Sequence, residues 1–176
     1  MRNETNRGYN RTVQRALSLA TGDYVADIAP DDPISPGYFA RATELMSAHP
    51  LAGFFCTHYQ TVTLDGQAGP RPTYWRDTDG YVSPEELFGW MDAREQFSFP
   101  VKSCIWKRDF LLEAGGLLAR LRWDTGWFTA LVLAFRHGFV YAPDVLKTVR
   151  IDPQSMSQRG LRNLAGQKKV MHILLK

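Results

Sequence analysis

The stretch "ATGDYVADIAPDDPISPGYF", residues 20–39, passes from a glycine stop through an apolar, β-rich run into two adjacent carboxylates, and then into a Ser-Pro pair that opens a helix. Tyr24, Val25 and Ile28 give the run its strand character, Pro30 ends it, and Asp31 and Asp32 stand side by side just beyond. Neighbouring like charges repel, and next to a strand that reads as buried they persist only where something cationic or hydrogen-bonding faces them. Ligands of open α/β sheets bind beyond the carboxyl ends of the strands, so the same residues that predict a strand-to-helix crossing also predict a site.

Working outward, "NRTVQRALSLA" carries Val13, Ala16, Leu17 and Ala20 at helical spacing, with Gly22 able to cap its end. On the other side Ser35 is placed to cap, and Pro36 to begin, a helix with Tyr38, Phe39, Ala42, Leu45 and Met46 on one side. "LAGFFCTHYQTVTLDG" reads as a long strand closed by the Asp65-Gly66 turn. The loop "QAGPRPTYWRDTDG" is too long for a plain connector. Then follow a capped helix in "SPEELFGWM", a strand in "FPVKSCIWK" and a glycine-stopped helix in "RDFLLEAGG". "DTGWFTALVLAFRHG" is a further helix between Asp124 and Gly138, "FVYAPDVLKTVRI" a last strand or pair of strands, and "RGLRNLAGQKKVMHILLK" a basic amphipathic tail helix. Alternating strands and helices predict a layered α/β fold.

At 176 residues, 44% hydrophobic and 22% charged, the chain has the makeup of one globular domain. Its +3 charge is scattered, and no cluster of Lys and Arg with interleaved aromatics marks a nucleic-acid surface. Cys56 and Cys104 lie in separate apolar runs, which reads as two reduced thiols and a cytoplasmic setting. No stretch has the form of a signal peptide or a bilayer span, and the four histidines have no metal-ligand spacing.

The ordered set "NRGYN", "GDYV", "APDD", Asp65-Gly66, "WKRDFLLEAGG" and "WFTALVLAFRHGFVYAPDVLKTVRIDPQSMS" resembles a family 2 glycosyltransferase of the GT-A fold, over roughly residues 3 to 158. The resemblance implies a partial GT-A mixed sheet flanked by helices. It implies a glycosyltransferase-like domain over 1–158, with 159–176 a separate basic amphipathic helix. The implied activity is inverting transfer of a sugar from a nucleotide-sugar donor to a saccharide or lipid-linked acceptor. Two positions depart from the family pattern: Ala29 stands where the acidic signature begins, and Gly126, not an acid, precedes Trp127. The strands that hold the nucleoside in that family have no counterpart here, so the expectation is a fragment, inactive alone, with an exposed sheet edge open to oligomerisation.

Within that frame Asp31 is the expected ligand of a divalent cation (Mg or Mn) and Asp32 a substrate-binding group, the cation answering the charge repulsion; the rival reading is an Asx-type turn. Asp124 stands equally as the catalytic base and as a helix N-cap. Trp127, beside it, is a candidate sugar platform, as is Trp123, or else a core aromatic. Arg150 is matched to a diphosphate-binding arginine or is a surface ion-pair partner. Tyr74, Trp75 and Arg76 line an acceptor site or pin their own loop. Arg159, Arg162, Lys168 and Lys169 give the tail either a peripheral membrane contact or a solvated face. The second functional class is a non-catalytic binding module that keeps only the acceptor half of the fold.

Overall fold

The computed structural model describes residues 3–70, 75–93 and 98–174. Five strands form one mixed sheet: β1 (Tyr24–Ala26), β2 (Phe54–Thr63), β3 (Gly80–Val82), β4 (Ile105–Lys107) and β5 (Phe139–Ile151), in the order β1-β4-β2-β5-β3. The long pair β2 and β5 is parallel, Phe55 opposite Val140 and Tyr59 opposite Lys147, with a bulge around His58. The other pairings are antiparallel, and β1 lies at one edge.

Alternation along β2 and β5 sorts the core onto two faces. Phe54, Cys56, Phe139 and Tyr141 point to one side, under α1 (Tyr9–Leu19), α3 (Pro84–Asp92), α4 (Arg108–Glu113) and α5 (Thr125–His137). Phe55, Val140 and Ala142 point to the other, against Tyr38, Ala42 and Met46 of α2 (Tyr38–Ala48). The tail forms α6 (Met156–Leu161) and α7 (Leu164–Leu174).

Three local readings change. The Ser35-Pro36 cap is displaced: α2 starts after Gly37 in a left-handed turn (φ 88°), because the preceding segment is drawn onto β5. There Ser35 N–H donates to the Leu146 carbonyl at 2.8 Å and Thr148 N–H to the Pro33 carbonyl at 2.8 Å. The strand expected over "FPVKSCIWK" begins as a 3-10 turn, Val101–Ser103, since the Pro100 carbonyl takes both the Ser103 N–H and its hydroxyl; only Ile105–Lys107 joins the sheet. The single tail helix breaks at Asn163, whose side chain accepts from Gly166 N–H at 2.9 Å. Gly160 and Gly166 sit directly against the Trp123 indole, where a Cβ would collide with it.

Candidate functional site

The segment after β1, the middle of β5, the start of α1 and the turn ahead of α5 converge on a cleft of about 300 Å³. Lys147 forms its floor. It faces inward from β5, only 2% exposed, and its Nζ donates to the Lys102 carbonyl at 2.6 Å. Asp32 Oδ2 lies 3.8 Å from that ammonium, and Asp32 Oδ1 accepts the Arg150 backbone N–H at 2.9 Å. Burial pushes the Lys147 amine below its ordinary value, with Asp32 opposing the shift. The adjacent acids are thereby separated: Asp31 is exposed, whereas Asp32 is buried on a lysine.

Asp27 also lines the cleft and accepts a hydrogen bond from the Tyr9 hydroxyl; burial raises its carboxyl above the usual range, partly offset by Lys147. On the opposite wall Asn10 donates through Nδ2 to the Arg122 carbonyl at 2.6 Å. Arg122 is the non-glycine residue with positive φ among the described residues (φ 53°, ψ −117°), a conformation costing about 1–3 kcal/mol unless its surroundings enforce it. Its guanidinium stacks over Trp123, 5.7 Å from the ring centre.

Three polar side-chain atoms in this wall are buried with no hydrogen-bond partner: Asn10 Oδ1, Trp123 Nε1 and Thr125 Oγ1. Each such atom costs about 1–3 kcal/mol of desolvation. The three are an amide acceptor, an indole donor and a hydroxyl able to do either, the group types that hydrogen-bond to a polyhydroxylated ligand. Three cationic and two anionic side chains line the cleft, so its charge favours an anion.

Comparison with solved structures places this architecture. The chain resembles S. aureus TarS residues 1–349 in complex with UDP-GlcNAc, with TM-score 0.65, 15% identity and coverage of 89% of this chain and 43% of that one. It also resembles a second structure of the same TarS segment (TM-score 0.61, 15% identity, 84% and 42%) and a longer TarS structure (0.56, 14%, 82% and 24%). The mixed α/β fold, a five-stranded sheet flanked by helices, is shared with TarS. The chain spans less than half the length of these structures. No protein-family model matches it, and no curated protein does.

Against this fold the expected site residues divide. Asp32 is in the cleft, and Arg150 touches it only through the backbone N–H that Asp32 accepts; the arginine side chain is exposed. Asp124 occupies the residue before α5 but makes no capping bond, so capping does not account for it; burial raises its carboxyl above the ordinary range. Its neighbours Trp123 and Thr125 line the cleft, but Asp124 itself and the half-buried Trp127 are not among the lining residues. Trp75 packs into the aromatic core, 5.0 Å from Tyr141 and 5.7 Å from Phe99 and Phe139, and Arg76 pairs with Glu86 at 3.1 Å. Tyr74 lies outside the described residues.

The donor set does not fit a cation at the double acid. Asp32 Oδ1 accepts the Arg150 N–H while Oδ2 faces Lys147, Asp27 accepts from Tyr9, and Asp31 is exposed where its neighbour Asp32 is buried. Among the described residues no group of three or more His, Cys, Asp or Glu side chains could hold a metal ion. Lys147, Asp27, Asn10, Arg122 and Thr125 escaped sequence reading. Lys147 alone left a trace, as a charged residue in step with the inward-facing Val149 of an otherwise apolar strand end. Among the described residues no helix is long and apolar enough to cross a membrane.

Proposed function

We propose that the chain is a family 2, GT-A-type glycosyltransferase domain. In the full protein it transfers a sugar, with inversion, from a nucleotide-sugar donor to a saccharide or lipid-linked acceptor. The observation that carries this reading is a cleft of net positive charge walled by Asn10, Trp123 and Thr125, each of which keeps one buried polar atom without a protein partner. Such atoms persist where a ligand completes them, and a sugar diphosphate supplies both the hydroxyls and the negative charge. The TarS likeness supports the same ligand class, since that protein is seen with UDP-GlcNAc.

In this reading the donor's sugar lies along Thr125 and Trp123, with its diphosphate toward Lys147. The acceptor hydroxyl attacks the anomeric carbon from the opposite face as the bond to the diphosphate breaks. Asp124 takes the hydroxyl proton; its raised pKa makes it a stronger base than an exposed carboxylate. Asp32 acts by holding Lys147 in place.

Saturation-transfer NMR with UDP-GlcNAc as probe tests the binding step. Saturation should reach the sugar protons, because the cleft walls match hydroxyls and phosphate. No saturation anywhere, or saturation confined to the base, would overturn the reading.

A further inference from the structure

In a nucleotide-sugar site the diphosphate charge has to be answered, and the acids of this cleft are already spent on other partners. Asp32 places one oxygen by Lys147 and gives the other to the Arg150 backbone, Asp27 accepts from Tyr9, and the residue facing the cleft at position 29 is an alanine. The cations are the groups with capacity left. An ammonium has three protons, and Lys147 directs one to the Lys102 carbonyl and one toward Asp32, which leaves one for a ligand. Its position is fixed by burial, so little ordering is lost when an anion arrives.

Arg122 supplies the second positive group. It approaches from the turn before α5, across the cleft from β5, and its backbone is held strained by the Asn10 side chain and its guanidinium by the Trp123 ring. A strained backbone at a cleft, enforced by a side chain from another element, is the kind of outlier that function retains. A five-donor guanidinium matches the geometry of phosphate oxygens.

We propose that Lys147 and Arg122 together hold the diphosphate of the donor, so that the site binds it without a divalent cation. The proposal rests on the reading of the cleft as a nucleotide-sugar site and assigns the counter-charge within it.

The test is calorimetric titration of inorganic pyrophosphate into the 176-residue chain, in EDTA and in excess MgCl2 or MnCl2, with UDP-GlcNAc as competitor. Pyrophosphate should bind in EDTA with an affinity within about threefold of that in metal. Arg122→Gly should weaken it by about tenfold or more, the loss of one charge-assisted contact, and the same change should raise the thermal midpoint because glycine relieves the positive φ. Since Lys147→Met strands a buried carboxylate, the paired change Lys147→Met with Asp32→Leu removes the ion pair as a unit and should abolish binding in a folded chain. Binding only when Mg or Mn is present overturns the proposal and leaves the donor reading standing. Binding in EDTA that UDP-GlcNAc does not displace keeps the anion site and overturns the donor reading. Absence of pyrophosphate binding in every buffer overturns the proposal, as does wild-type affinity in both variants.

Discussion

The start and the middle of β5 are built on opposite terms. Around its start, Phe139 stacks on Phe54 at 5.1 Å and meets Phe99 and Trp75 edge-on at 5.3 and 5.7 Å, and Tyr141 is hydrogen-bonded to His58 at 2.7 Å. Around its middle, Lys147 is buried beside Asp32, and the cleft wall opposite holds three polar atoms without partners and a strained arginine. The first region contributes stability through close-packed apolar area. The second costs stability in the unliganded chain, and a region that does so in an otherwise well-packed domain is where a ligand belongs.

The contrast can be broken most severely at the aromatic end. Phe139→Ala should cost about 3–5 kcal/mol, since a fully buried ring leaves a cavity between four aromatic neighbours. A denaturant midpoint reads the loss directly, and a change under 1 kcal/mol would mean that this cluster does not anchor the sheet.

Next in size is the double acid. Asp32→Asn removes the charge facing Lys147 and should destabilise by about 3 kcal/mol, whereas Asp31→Asn, at an exposed position, should change stability by less than about 0.5 kcal/mol. Denaturation of the two variants side by side separates a buried ion pair from a metal-binding doublet, in which both acids would matter to metal-dependent activity. Equal effects would contradict the division of roles. Introducing Ala29→Asp sharpens the point, because a carboxylate facing the cleft there should create a divalent-ion dependence of pyrophosphate binding that the natural chain lacks.

A smaller effect is a slope with pH. Burial holds the His58 imidazole below its ordinary value. The unfolded chain therefore takes up the proton first as pH falls, so this residue's contribution to stability declines below about pH 6.5, the unperturbed value, until the folded histidine itself titrates. His58→Gln should flatten the thermal midpoint between pH 7 and 5 relative to the natural chain, and an unchanged slope would remove His58 as its source.

These differences also explain what could be read in advance. The helices and the long strands were legible because their signals are local: Ser83 accepts from Glu86 N–H as its cap, and Gly115, Gly116 and Gly138 all take positive φ at the helix ends they were read to mark. The cleft that we propose as the site lies past β1, the stretch to which Asp31 and Asp32 draw attention in the sequence. Its chemistry was not legible there, because the cation facing Asp32 is Lys147, far along the chain and brought beside it where residues 33–35 pair with β5. Likewise nothing near Arg122 in sequence announces its strain, which depends on Asn10 at the other end of the domain. For Trp75 the sequence leaves an acceptor-site aromatic and a pin of its own loop equally open, and only the fold carries it against the core.

The most direct measurement on the central claim is made on Thr125→Val, a near-isosteric change that deletes one unpartnered buried hydroxyl. If the cleft keeps its polar atoms for a ligand, the variant without ligand should be more stable than the natural chain by about 1 kcal/mol in chemical denaturation, and UDP-GlcNAc binding should weaken in the same sample. A variant that is less stable, or that binds UDP-GlcNAc as well as the natural chain does, would contradict the account.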